Sequence, residues 1–421
     1  MTVNLVELIE QGVVKPGGHH VNVPIKKANG QNYDGKTYMI PLEYLYYNNQ
    51  NGRIGVSLSE YESANGKLRA GHNKEYNDAV QKMLVDGGGE KTRKDMQILK
   101  RDMAIKGQQE AGYVLLDGRV IDGNRRFTAK RMLDQDSHIS EPQFYEAVIL
   151  DDLSIQNQND QKLIKSLELQ IQFGKLDKVD YDPIDRSVDA YKTIKVNNIM
   201  SAKDYAEYAG LKVNEVNKRL LEAELIVKFL EFANADSDNY SLAKQLDLDG
   251  PLQDLVPQYK KFKDNENAEQ LLNSLFTKII QLRASKEDFK AEYRQIVKNI
   301  IGSRKEEEFI EDMEDATDIV VDTLDRKEVI KNNIDLFDTL NDKETVVALA
   351  DIQTISNRHS ETVKNQQERD MPVKLVNRAI NSLNSINIQS IDSLSINDSE
   401  ELVRSLDKLQ AIIDEIRSSE E

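Results

Sequence analysis

Near residue 152 the rhythm of this sequence changes. Up to that point, short β-rich runs alternate with helical patterns. KTYMIPLEYLYYNNQNGRIGV opens on a short apolar strand and passes into an Asn- and Gly-rich turn that ends near Arg53. Residues 73–85 and 91–106 carry apolar side chains at three and four spacing, which predicts two helices separated by DGGGE. GYVLLDGRVID is predicted to be a hairpin about Asp117-Gly118, NRRFTAKRMLD the helix after it, and EPQFYEAVIL a further strand. Beyond residue 155 strand signals almost vanish. The expectation is an α+β protein, a small mixed α/β N-terminal domain followed by a mostly α-helical remainder.

The boundaries read from composition are an arm at 1–35, the mixed domain at 36–152, a helical region at 155–250, an acidic helical domain at 251–378, a Ser/Asn-rich linker at 379–399 and a terminal helix at 400–421. The arm, with GVVKPGGHHVNVPIKKANGQN, reads as loop or a short edge hairpin. The last segment places Leu402, Leu406, Leu409, Ile413 and Ile416 on a coiled-coil seam, which suits a homodimer.

With no cysteine, a disulfide framework, a cysteine-ligated zinc and a thiol nucleophile are all excluded. MTVNLVELIEQG lacks the basic and apolar parts of a signal peptide, and no apolar run is long enough to span a bilayer, so a cytoplasmic protein is expected. The net charge of −17 argues against coating nucleic acid by charge alone. Its distribution is uneven. Residues 91–133 hold a surplus of Lys and Arg, whereas most of the acidity lies beyond residue 250, where it reads as solvated helix faces and a possible protein-partner surface.

Two segments carry chemistry. MSAKDYAEYAGLKVNEVNKRLLEAELIVKFLEF joins two helical patterns through Gly210, with Ala206, Gly210 and Val216 spaced as in a helix-turn-helix. Its second helix would present Lys212, Asn214, Asn217 and Lys218 to DNA, with Arg219 reaching a phosphate and Glu215 and Glu222 diluting the charge. The other segment, VLLDGRVIDGNRRFTAKRML, starts a helix with Arg125 and Arg126 in its first turn, where the helix dipole disfavours cations. Asp122 is the expected N-cap, Gly123 allows close backbone approach, and an anion bound at the helix start would turn both arginines into partners. DGGGEKTRK lacks the strand, spacing and GK[ST] ending of a P-loop and reads as an inter-helix loop.

VLLDGRVIDGNRRFTAKRML resembles the phosphate-binding motif of the ParB/sulfiredoxin-like superfamily. PLEYLYYNNQNGRIG is similar to that family's N-terminal box, and LELQIQF, YDPIDRSVDAYKTI and the helix-turn-helix follow in the ParB order, over roughly residues 36–230. The resemblance implies a nucleoside triphosphate, CTP or ATP, bound with Mg²⁺ and governing contact with DNA, in a plasmid or phage setting. It implies phosphate contacts from Asp122, Gly123, Asn124, Arg125 and Arg126, with Arg53 nearby and Glu168 assisting the metal or a weak NTPase activity. Thr128 stands where the family has its third arginine, and LELQIQF lacks the closing arginine of its motif. The sulfiredoxin branch needs a cysteine that is absent. An NTPase, nuclease or small-molecule kinase using the same pocket, or an interaction module on a degenerate scaffold, are the alternatives. The five histidines are scattered rather than grouped as a nuclease metal site would need.

Overall fold

The computed structural model describes residues 3–27, 29–49, 54–87, 89–174, 182–285, 289–326, 328–391 and 395–418. Arg53 of the N-terminal box lies outside the described residues. The chain divides into two units, Met1–Asn357 and Arg358–Glu421.

The alternating apolar runs of the first 150 residues form one mixed sheet. Its strands are β1 (Lys15–His20), β2 (Lys36–Pro41), β3 (Tyr46–Tyr47), β4 (Gly112–Leu115), β5 (Arg119–Asp122) and β6 (Phe144–Leu150), in the spatial order β1-β2-β6-β4-β5-β3. β1 pairs antiparallel with β2, β2 with β6 and β4 with β5, whereas β4 runs parallel to β6 and β3 to β5. The inner strands are apolar almost without interruption because both faces are covered. Val114, Val120, Tyr145 and Ala147 pack on one face with Phe127 and Tyr76, and Leu115, Ile121, Val148 and Leu150 pack on the other with Ile164 and Leu167.

The helices around this sheet are α1 (Leu5–Glu10), α2 (Gly55–Asn65), α3 (Lys74–Asp86), α4 (Gly89–Lys106) and α5 (Asn124–Asp134). The first 35 residues are more ordered than their composition suggests. Asn4 caps α1 by accepting from the Val6 and Glu7 amides, and Leu5 is fully buried. KPGGHH forms the edge strand by pairing with β2, and where that register is irregular Glu146 on β6 accepts from the Gly18 and His19 amides at 2.8 and 3.0 Å.

The helical remainder of the first unit comprises α6 (Gln158–Gly174), α7 (Pro183–Tyr191), a π-helical turn over Lys192–Val196, α8 (Ala202–Ala209), α9 (Val213–Phe232), α10 (Tyr240–Gln245), α11 (Asp249–Phe262), α12 (Ala268–Ser285), α13 (Phe289–Asn299), α14 (Glu306–Asp325), α15 (Asn333–Thr339) and the start of α16 (Lys343–Asn384). One large core holds α7 and α9 to α16, with the rings of Phe229, Phe232 and Phe276 in tilted and edge-on contact, while α6 and α8 pack in separate clusters. Val56 of α2 joins that core, and the Ser59 hydroxyl donates to the Asp238 carbonyl, so α2 belongs to the helical region as much as to the sheet.

In the second unit the rest of α16 is followed by α17 (Ile388–Ile391) and α18 (Ile396–Ser418). Helix therefore replaces much of the linker expected at 379–399. Ser and Asn are only middling helix formers, but their cost per residue is small and does not exclude helix. On α18 the expected seam stays partly uncovered within the chain, with Leu406 and Ile416 46% and 48% exposed.

Candidate functional site

The hairpin that feeds α5 depends on two glycines. Gly118 adopts φ +83°, and a Cβ there would lie 1.9 Å from the Tyr44 carbonyl. Gly123 adopts φ +90°, and a Cβ would meet the Tyr145 hydroxyl at 2.0 Å. That hydroxyl donates to the carbonyls of Asp122 and Gly123 at 3.1 and 3.2 Å, fixing the strand-to-helix turn. Gly123 is the N-cap of α5, with no side-chain cap bond. Asp122, expected as that cap, is instead the last residue of β5, because its carboxylate is drawn to Arg126.

Arg126 answers the electrostatic question that its sequence poses. Its side chain is 16% exposed, and it donates to Asp122 Oδ2 at 2.9 Å and to Glu110. Burial works against its charge, but Tyr145, Asp122 and Glu110 together hold its pKa above the ordinary value. Arg125 is half-buried beside it. Asn124, the first residue of the helix, is 6% exposed, and neither its Oδ1 nor its Nδ2 has a hydrogen-bond partner. Leaving a buried amide unsatisfied costs on the order of 1–3 kcal/mol. Such a group at a helix start, where the first amides also lack intrahelical acceptors, is a place for an external acceptor or donor. Thr128 is fully buried, donates to the Asn124 carbonyl at 2.9 Å and shares a hydrogen bond with the Tyr47 hydroxyl. A larger side chain has no room there.

Glu168 lies on α6, which packs against β5. It stands in the middle of a buried polar chain that begins on the strand leading to the α5 turn. Arg119 sits over the Tyr46 ring and donates to Asn49 and Asn48 at 2.8 and 3.3 Å. Asn48 donates to Glu168 Oε1 at 2.9 Å. Lys165 bridges Glu168 Oε2 at 3.3 Å and Asp189 Oδ1 at 2.6 Å, and the Tyr205 hydroxyl closes the chain on Asp189 Oδ2 at 2.9 Å. All six of these side chains, from Arg119 to Tyr205, are buried. Burial pushes the Glu168 carboxyl up to about 7; Lys165 opposes this, and the charges of Asp189 and Asp122 add to it. Burial also pulls on Lys165, but Asp189 and Glu168 more than reverse it, so the ammonium stays charged.

Tyr205 belongs to α8, the first helix of the helix-turn-helix. Ser201 and Asp204 form a capping box at its start, and Gly210 closes it at φ +64°. Ala206 and Val216 pack between the helices as their spacing predicts. Lys212, the N-cap of α9, and Asn214, Asn217 and Lys218 on its first two turns are exposed, and no ion pair among the described residues engages either lysine. Arg219 folds down onto Glu215 at 2.8 Å instead of projecting. Glu222, expected to dilute the charge of this face, is 6% exposed and turned inward, where it accepts from Ser187 at 3.0 Å and Gln253 at 3.3 Å. Burial raises its carboxyl to about 7. In the DGGGEKTRK stretch Gly89 already starts α4, and Arg93 and Lys94 pair with Asp86 and Glu90.

The sequence singles out the turn, Glu168 and the exposed face of α9, and the structure adds Arg119, Asn48, Lys165, Asp189 and Tyr205 as the partners that tie Glu168 into a buried chain. A charged residue in the middle of VLLDGRVID was the one available signal, since an arginine inside a buried hairpin demands partners. Comparison with models of known protein families and with curated proteins gives no match. What the fold and site define is an α+β protein whose N-terminal sheet is joined by buried charge to a helix-turn-helix.

Proposed function

We propose that this chain is a ParB-like, nucleotide-responsive DNA-binding protein, in which the phosphates of a nucleoside triphosphate, CTP or ATP with Mg²⁺, meet the start of α5 and the exposed face of α9 meets DNA. The observation that carries this reading is the polar chain from Arg119 to Tyr205. Burying charge is expensive, and a hydrophobic cluster of similar volume would often stabilise as well, so a buried ionic chain suits a device that holds two parts in one register. Here its two ends are the strand before the α5 turn and the first helix of the helix-turn-helix.

The start of α5 supplies an unsatisfied buried amide in Asn124, helix amides, and Arg126, whose partner Glu110 is 59% exposed and is the group a phosphate would displace. Hydrolysis is not part of the proposal, because the Glu168 carboxylate is taken up by Asn48 and Lys165. A ligand shifts an equilibrium only through its different affinities for the two states, so the nucleotide must alter DNA binding. Fluorescence anisotropy on a duplex library at low salt, with and without each nucleotide, tests this. The expected result is an affinity that changes with CTP or ATP. DNA binding indifferent to every nucleotide would overturn the coupling.

A further inference from the structure

The acidic half of the protein holds a surface feature that the nucleotide and DNA reading does not use. EEEFIEDMEDATDIVVDTLD is amphipathic, and α14 buries Phe309, Ile310, Met313, Val320 and Leu324 in the large core. Where α14 meets the first turns of α16, the small side chains of Ala316 and Ala348 leave a groove of about 610 Å³, with Ile319, Val347 and Ile355 along its walls. Val347 is 54% exposed there. Together with the half-buried Ile319 and Ile355 it gives the groove an apolar wall whose burial by a covering partner would be favourable.

The rim states the partner's chemistry. Asp312 and Asp315 stand on the α14 side, Glu344 and Asp351 on the α16 side, and Lys343 is the one cation among the lining residues. No ion pair among the described residues engages Asp315, Glu344 or Asp351. The lining residues span roughly 10 Å of α14 and roughly 18 Å of α16 at the ordinary helical rise, the length of about three helical turns. We infer that this groove docks an amphipathic helix of a partner protein, its apolar stripe on Ile319, Val347 and Ile355 over the alanine floor and its flanking Lys or Arg side chains on the rim carboxylates. This is helix-in-groove recognition with charge setting orientation.

The test uses the full chain and a fluorescent synthetic peptide about 14 residues long, with leucines at i, i+3, i+4 and i+7 and lysines on both flanks. Two controls are a scrambled peptide of the same composition and one with Glu in place of every Lys. Anisotropy should show the amphipathic lysine peptide binding at least about tenfold more tightly than either control. Val347→Arg, at an exposed position that leaves the fold intact by circular dichroism, should weaken it about tenfold. Asp315→Asn with Asp351→Asn should weaken it about threefold and flatten its salt dependence. Equal binding of the scrambled peptide would reduce the effect to charge alone and overturn the proposal, as would binding indifferent to Val347→Arg. Failure of the lysine peptide to bind, with self-association of the chain that Val347→Arg abolishes, would assign the groove to a second copy and also overturn it.

Discussion

Two helices of this protein begin on cationic sequence and treat the charge in opposite ways. At α5, Arg126 is drawn inward and held by Asp122 and Glu110, while Asn124 is buried with its amide unsatisfied. At α9, Lys212 and Lys218 stay in solvent, and the neighbouring Arg219 is the one that pairs within the helix. The fold uses the first cation for itself and leaves the second pair open to a partner. Between them runs the buried chain through Asn48, Glu168, Lys165 and Asp189, which makes the contrast testable as a coupled system and not as two separate sites.

The sharpest way to break the comparison is to cut the chain. Lys165→Met leaves Glu168 and Asp189 buried without their cation and should destabilise the protein by about 3–5 kcal/mol in urea unfolding. A loss below about 1 kcal/mol would mean that the charges find water and the chain holds nothing together. Next, Arg126→Ala leaves Asp122 facing Glu110 and should cost about 2 kcal/mol, with Arg126→Lys recovering only part because one ammonium cannot reproduce the planar fork.

The same test at α9 should give the reverse result. Lys212→Ala with Lys218→Ala should leave stability within about 0.5 kcal/mol, while the salt dependence of DNA binding falls by about two phosphate contacts. Equal salt slopes for wild type and variant would show that α9 presents its lysines to nothing.

A smaller effect separates the outward face of α9 from its inward one. Glu222 has its carboxyl raised by burial to about 7, so its contribution is fully present below the unfolded carboxyl range and is lost as pH rises through about 7. Melting followed from pH 6 to pH 8 should therefore show a falling midpoint. Glu222→Gln should reduce that fall by about 2 °C. An unchanged slope would place the titration elsewhere, with Glu168 the next carboxyl to test.

Much of this contrast was legible in the sequence because its signals are local. Asp117-Gly118, the three and four spacing of NRRFTAKRMLD, and Ala206, Gly210 and Val216 each specify their own turn or packing, and the structure places them accordingly. What could not be read depends on distant partners. The arm reads as loop or a short edge hairpin, and what selects the strand is pairing with β2 together with a β6 carboxylate that takes the Gly18 and His19 amides. Asp189 reaches Lys165 across 24 positions, and nothing in YDPIDRSVDAYKTI marks it for that role. The N-cap of α5 was misjudged for a related reason: Asp122 has the side chain of a cap, but Arg126 four residues later competes for it and wins.

The claim that rests most directly on a single group is that the start of α5 receives the phosphates of a nucleotide. Isothermal titration of CTP, ATP, GTP and UTP with Mg²⁺ into the wild type and into Asn124→Asp measures it. The variant is nearly isosteric, and the helix dipole favours an acidic residue at that position, so it should fold while repelling an anion. The account predicts binding of CTP or ATP to the wild type and at least about tenfold weaker binding to a folded Asn124→Asp. Binding of no nucleotide by the wild type, or equal binding by both proteins, would contradict it.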